Sequence, residues 1–374
     1  MRKIPFYKHD LGEAELIRIR EVLAGTILTT GDYVYNFEKQ FAAYLGCKRV
    51  VCCSSCTGAA HLALLALGLQ PGDEVITTPM TFIASATSII QAGGTPVFVD
   101  VEPDTANMDA SLVEQAITSR TKGIMPVHLY GQMCDMKALR KIADKHGLFI
   151  IEDAAHCVEG ERDGVRPAQL GDAACFSFFA TKNLACGEGG AVALNDEAIA
   201  DKIRLLSHHG MTKTSADREK EGYQHWDMVC MGWKYNMDNI HGAILQEQMK
   251  GLGVRWERRQ QIVDKYTSLL ENCEKIRLIK RLTGIKHANH LFPVLVAPDR
   301  RDKIMNDLAS EGVSSVVNYR AIHLLTYFKM RFGFAKGTYP EAEKIGESII
   351  SLPFFCSMSD DDVVYVSNAL MSAV

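Results

Sequence analysis

The chain has 374 residues, of which 47% are hydrophobic and 23% charged, and its net charge is −4. That length predicts one large domain plus a smaller one rather than a single small core. With no excess of lysine and arginine to neutralise phosphates, the charge argues against a dedicated nucleic-acid binder. The opening stretch MRKIPFYKHDLGEAE has two early positive charges but no apolar core behind them, so it does not read as a signal peptide. No apolar run approaches a membrane span. The eleven cysteines are scattered, mostly inside apolar segments, which suits free thiols in a reducing compartment and predicts a cytoplasmic protein.

Residues 10–24 carry apolar residues at helical spacing, and a second helix is predicted from Asp32 to Leu45, stopping at Gly46. The polar loop GTILTTG joins them. Arg49–Cys53 then reads as a short buried strand, Ser54–Gly58 as a turn of small residues, and Ala59–Leu67 as a helix. A strand, a small-residue turn and a helix present free backbone N–H groups and a positive dipole end to an anion, which makes Cys56, Thr57 and Gly58 candidates for a phosphate site. A plain helix cap made by Ser55 or Thr57 is the blander alternative. The turn matches neither a Walker A loop nor G-x-G-x-x-G. Cys53 and Cys56 form a C-x-x-C, but no second pair exists to complete a zinc cage, and no metal is expected.

From Glu74 strands and helices alternate: EVITTP, a helix over Phe82–Gln91, PVFVDV, a helix over Ser111–Ile117, GIMPVHLYG, a helix over Met136–His146, then LFIIEDAA. This alternation predicts an α/β fold with a largely parallel sheet covered by helices, its ligands lying outside the carboxyl ends of the strands. Phe82 follows one strand end, Asp153 and His156 follow another, and Ser177 and Lys182 close the strand Ala173–Phe178. A ring-stacking aromatic, a carboxylate that could keep a pyridine nitrogen protonated and an amine that could form a Schiff base therefore meet at one edge. Each also has a structural reading, as a cap for Asp153, a core histidine for His156 and a snorkelling side chain for Lys182.

Beyond Gly190 one more strand, AVALND, and a helix over Glu197–Leu206 are predicted. The charged stretch Met211–Met228 reads as an exposed loop. An amphipathic helix occupies the second half of GWKYNMDNIHGAILQEQMKGL, and a long helix spans Val254–Cys273. Composition shifts here, placing a large domain over residues 1–250 and a smaller α+β domain over 251–374. Within the latter HLFPVLV and SSVVNY read as strands, and Arg300–Gly312 and Asp360–Met371 as helices.

The segments SFFATKNLACGEGG, SSCTGAAHLALLALGLQPGDEVI, TFIASATSIIQAGGTPVFVDVEPDT, PVHLYGQMCDM, IEDAAHCVEG, RLLSHHG and NYRAIH together make the chain resemble the DegT/DnrJ/EryC1/StrS sugar aminotransferases over essentially its full length. The resemblance implies a fold-type I enzyme that uses pyridoxal 5'-phosphate, with a mostly parallel seven-stranded sheet in the large domain and a smaller α+β C-terminal domain. It implies a Schiff base at Lys182, with Asp153 on the pyridine nitrogen, His156 near the phenolic oxygen and Phe82 on the ring face. The phosphate would be held by Cys56, Thr57 and Ser177. It also implies a homodimer with shared active sites, each completed by segment Trp233–Asn236 of its neighbour. There the commoner family pattern G-x-N-x-R-M is replaced, and either Lys234 or Asn236 is available to the neighbouring phosphate. Phe179 departs too, standing where many relatives carry a polar aromatic or histidine.

The implied reaction moves an amino group from glutamate, returned as 2-oxoglutarate, to a keto group of a nucleotide-linked deoxysugar, with Lys182 as tether and general base. A branch of the family that dehydrates instead has histidine at the lysine position; this chain keeps lysine. Sugar contacts are expected from Tyr7, Leu28, Thr29, Tyr319 and His323. Two other readings compete. Another fold-type I reaction, such as cysteine desulfuration, would need a cysteine on the loop Met211–Met228, which has none. A sensor that binds the cofactor without turnover would ordinarily carry an added DNA-binding or partner module, and no basic helix-turn-helix segment is evident.

Overall fold

The computed structural model describes residues 2–213 and 225–374. Most of the expected loop Met211–Met228 lies outside the described residues; at its ends Met211 and Met228 pair. Two helices, α1 (Glu13–Ala24) and α2 (Asp32–Leu45), precede the first strand, and α2 ends as expected at Gly46, whose φ of +73° suits a residue without a Cβ.

Seven strands then form one sheet: β1 (Arg49–Cys53), β2 (Glu74–Thr77), β3 (Thr95–Phe98), β4 (Thr121–Ile124), β5 (Phe149–Asp153), β6 (Ala173–Ser177) and β7 (Gly190–Leu194), in the order β1-β7-β6-β5-β4-β2-β3. The neighbours from β6 to β3 are parallel, whereas β7 runs antiparallel to both β6 and β1. This is the mixed, mainly parallel α/β sheet that the alternation of elements predicts. Its strands are almost wholly buried because helices cover both faces.

On one face α2 sets Phe37 and Phe41 against the sheet, with Phe41 edge-on to Phe176 at 5.0 Å and Phe37 edge-on to Phe178 at 5.3 Å. The alanines of β6 and β7 leave room for these rings. Also on this face is α8 (Asn239–Lys250), whose Gly242 lets it approach α2 closely: a Cβ there would meet the Val34 nitrogen at 2.8 Å. The other face is covered by α3 (Cys56–Ala66), α4 (Ile83–Gln91) and α7 (Glu197–Ser207). Beside β4 and β5 lie the short α5 (Ala110–Val113) and α6 (Met136–His146).

A second core forms after Lys250 from α9 (Leu252–Leu270), a three-stranded antiparallel sheet β8 (Arg277–Leu278), β9 (Phe292–Leu295) and β10 (Ile349–Leu352), and the helices α10 (Arg301–Ser310) and α13 (Asp360–Ala373), whereas α11 (Thr326–Phe332) packs through Phe328 against Ala86 and Phe98, and α12 (Pro340–Ser348) through Ala342 and Ile345 in a cluster with Met80 and Val101. Ile4 packs into this core and pairs with Val313, so the first residues of the chain are part of it.

Two expectations need correction. SSVVNY is not a strand: apart from one bridge between Val316 and Ser351 it is irregular. Its β-branched pair is used for that single contact, after which the chain leaves the sheet and carries Asn318 and Tyr319 to a cavity they share with Asp153 and Ser177. The helix expected from Ala59 begins instead at Cys56, because Ser55 caps it, its Oγ accepting from the Gly58 N–H at 3.0 Å.

Candidate active site

Gly190, the first residue of β7, pairs with Ser177 of β6 on one side and with Cys53 of β1 on the other. The carboxyl ends of β1 and β6 therefore meet at this glycine. A Cβ on Gly190 would lie 2.3 Å from the Ser55 carbonyl carbon and 2.4 Å from the Cys56 nitrogen. Only glycine lets the β1–α3 turn sit this close to the strand ends. Next along the sheet β5 ends at Asp153, paired with Cys175. A cavity of about 480 Å³ opens on this edge, bordered by the β1–α3 turn, Asp153, Ser177 and Lys182.

At one end of the cavity stand Cys56 and Thr57. The cap occupies the Gly58 N–H, and Ala59 N–H bonds the Ser55 carbonyl, which leaves the Cys56 and Thr57 amides without intrahelical partners. With Thr57 and Ser177 lining the same cavity, this end has the donors that fit a phosphate at a helix N-terminus. Of the two readings of the turn, the Ser55 cap is what the structure shows, and it leaves the neighbouring amides facing the cavity.

Lys182 reaches the cavity from a tight loop after β6. Phe178 N–H bonds the Gly189 carbonyl, Ala180 N–H the Gly187 carbonyl and Lys182 N–H the Phe179 carbonyl, at 2.8–2.9 Å, with Gly187 at φ +99°. The amine is half-buried. Burial brings its pKa down to about 8, partly opposed by the attraction of Cys56 and Asp153.

Asp153 is held by two donors: Ser85 Oγ to Oδ2 at 2.7 Å and Ala155 N–H to Oδ1 at 3.2 Å. Ser85 is itself bonded to Thr81 Oγ1 at 2.8 Å. A carboxylate oriented in this way suits a cationic ring nitrogen. His156 is buried, and burial, followed by the nearby Lys182, drives its pKa well below the ordinary imidazole value. Its Nδ1 accepts from the Tyr130 N–H at 3.3 Å, so in the neutral ring the proton is on Nε2, 3.3 Å from the Tyr319 hydroxyl. Phe82, the N-cap residue of α4, is 54% exposed at the cavity wall, its ring centroid 5.8 Å from that of Tyr319.

The residues at the cavity fit pyridoxal phosphate: orphan helix amides for the phosphate, a fixed carboxylate for the ring nitrogen, an imidazole N–H, an aromatic wall and an amine of lowered pKa. Of the residues singled out from sequence, Cys56, Thr57, Phe82, Asp153, His156, Ser177, Phe179, Lys182 and Tyr319 all line this one cavity. Others do not. His323 is a correction: it is a buried core histidine, with Nε2 2.9 Å from Glu343 Oε1 and its ring edge-on to Tyr339. Tyr7 lines a small separate cavity on another side of Lys182, while its neighbour Phe6 lines the main one.

Leu28, Thr29, Lys234 and Asn236 stand outside the chain's own cavity. Lys234 Nζ donates to Asn236 Oδ1 at 2.6 Å, and Asn236 Nδ2 to Thr30 Oγ1 at 2.7 Å. This segment is pinned behind the β1–α3 turn, where Ser54 N–H bonds the Tyr235 carbonyl at 2.6 Å. Sequence reasoning missed Phe6, Ser85, Glu188 and Asn318. Only Glu188 carried a signal, as the one charge in the glycine turn.

A model described as the DegT/DnrJ/EryC1/StrS aminotransferase family matches residues 9–371. The chain is 38% identical over 377 residues to the spore coat polysaccharide biosynthesis protein SpsC of Bacillus subtilis, covering 99% of this chain and 97% of that one. Among solved structures, Spr1654 of Streptococcus pneumoniae in its PMP form superposes with a TM-score of 0.94 at 32% identity, covering 99% of both chains. DesV of S. venezuelae superposes with a TM-score of 0.92, also at 32% identity, covering 100% of this chain and 98% of that one.

Proposed function

The chain belongs to the DegT/DnrJ/EryC1/StrS aminotransferase family, whose cofactor is pyridoxal 5'-phosphate, and from that premise we propose that it moves the amino group of glutamate to a keto carbon of a nucleotide-linked deoxysugar. The convergence of Lys182, Asp153 and the free amides of α3 on one cavity carries this reading. SpsC belongs to spore coat polysaccharide biosynthesis, which supports a product destined for a surface polysaccharide. The free state of all eleven cysteines supports a reducing, cytoplasmic setting.

Bound pyridoxal phosphate supplies an aldehyde that captures amines and a ring that withdraws electrons from the carbon beside them. The chain's residues do the rest. Cys56 and Thr57 amides, with the Thr57 and Ser177 hydroxyls, would anchor the phosphate. Asp153, oriented by Ser85, would keep the ring nitrogen protonated, and the His156 Nε2–H would be a donor for the phenolic oxygen. Lys182 Nζ, neutral above pH 8, takes the proton from the α-carbon of the donor and in the return half-reaction delivers one to the sugar carbon that receives nitrogen. Phe82 and Tyr319 would flank the ring.

The active form is a homodimer in this reading, and Lys234 and Asn236, outside their own cavity, contribute to the neighbour's phosphate. The exposed Trp226, Met228, Val229 and Met231 near that segment support a covered surface there. The test is spectroscopic: the cofactor absorbance of purified protein should bleach with glutamate and return with a nucleotide-linked keto sugar. A band indifferent to every amino donor would sink the proposal in favour of a sensor.

A further inference from the structure

Behind Lys182 lies a buried polar chain that the reaction described above does not use. Arg259 of α9 forms an ion pair with Glu159, both side chains buried. The other Glu159 oxygen accepts from Asn183 Nδ2 at 2.9 Å, and the same nitrogen donates to the Ala288 carbonyl at 2.7 Å. Asn183 is the residue that follows Lys182. Both N–H groups of its amide point at oxygens that can only accept, so its Oδ1 is the atom facing His290 Nδ1 at 3.1 Å. His290 must then carry its proton on Nδ1, leaving a lone pair on Nε2.

The His290 ring lies 4.2 Å, centroid to centroid, from that of His156. The Tyr130 backbone holds both residues, its N–H donating to the His156 ring at Nδ1 and its carbonyl accepting from the His290 backbone N–H at 3.1 Å. Lys182, Asn183, Arg259 and His290 also share a small cavity, of about 20 Å³, separate from the cofactor cavity.

A buried ion pair is a weak source of stability, because desolvating two charges offsets most of their attraction. Its geometry here is more informative than its energy. Through Asn183 it ties a helix of the C-terminal core to the loop that carries the lysine, and it helps orient the amide that sets the tautomer of a histidine packed against His156.

We propose that Arg259, Glu159, Asn183 and His290 form a positioning relay that fixes the peptide after Lys182 and the rings of His156 and His290, with Asn183 as its pivot. The inference rests on the aminotransferase reading for its consequence, though not for its geometry. None of the four is a catalytic residue; they act by holding Lys182 and His156 in place. A displacement of about 1 Å at a reacting group can cost on the order of 100-fold in rate.

The experiment uses Asn183→Ala and the double variant Glu159→Leu/Arg259→Met, which removes the ion pair without stranding a charge. Nitrogen-15 spectra of the histidines in cofactor-free protein, with His290 assigned by His290→Gln, should show the Nδ1–H form in the parent and its loss in both variants. In the cofactor-loaded enzyme kcat should fall about 10- to 100-fold while KM for glutamate changes less than about threefold. Thermal melts identify loss of fold. An unchanged His290 tautomer in Asn183→Ala overturns the relay, as does a rate loss that only tracks unfolding. If the parent does not transaminate, the functional reading fails while the tautomer result still decides the relay.

Discussion

Lys182 shows how burial at a single position becomes chemistry. An exposed lysine keeps its proton until about pH 10.4. Here desolvation lowers the pKa to about 8, with Cys56 and Asp153 pulling weakly the other way, so the neutral amine is a large fraction just above neutrality. Between pH 8 and the ordinary lysine range the unfolded chain binds a proton that the folded chain has released, so this group makes stability rise with pH across that window. In cofactor-free protein, labelling of Lys182 by an amine-directed reagent should be half-maximal near pH 8, while surface lysines follow about pH 10.4. A Lys182 profile that coincides with the surface lysines would contradict the assigned environment. His156 works in the opposite sense: it is kept neutral, with its donor face chosen by the Tyr130 peptide.

At the scale of elements, the site depends on how closely β1, β6 and β7 approach at Gly190. Gly190→Ala should push the β1–α3 turn away from the strand ends, since its Cβ would fall 2.3–2.5 Å from Ser55 and Cys56 backbone atoms. Overpacking of this kind costs about 1–3 kcal/mol. Because the displaced atoms are those of the proposed phosphate cradle, pyridoxal phosphate affinity should drop at least about tenfold, the equivalent of about 1.4 kcal/mol. A fluorescence titration with the cofactor measures it, and parent-like affinity would refute the packing argument.

The same strand ends explain what could be read from the sequence. The alternation of apolar runs and amphipathic segments predicts the sheet, and the carboxyl-end rule brings Asp153, Ser177, Lys182 and Phe82 together before any coordinates. The start of α3 was not legible, since a cap at Ser55 and a small-residue turn give one and the same string, SSCTG. SSVVNY has strand propensity, but its surroundings use it for one bridge and a delivery segment. His323 offers no sequence sign that Glu343, twenty residues on, keeps it in the core. Ser85, one turn into α4, becomes an Asp153 ligand only once α4 packs beside β5.

For the whole molecule the proposed dimer has a direct consequence. Lys234 and Asn236 lie behind the phosphate turn of their own chain, so in the proposed dimer they serve the partner's site. A Lys182→Ala chain and a Lys234→Ala/Asn236→Ala chain should each be nearly inactive alone and recover activity when co-expressed, because one hybrid site is intact. Absence of recovery in a mixed dimer verified by mass would contradict shared sites. The central claim, that Lys182 is the covalent anchor of the cofactor, has a more direct test. Borohydride reduction of the holoprotein followed by peptide mapping should place a single pyridoxyl group on Lys182 in the peptide containing Asn183 and Leu184; a pyridoxyl group on any other lysine, or none at all, would contradict the account.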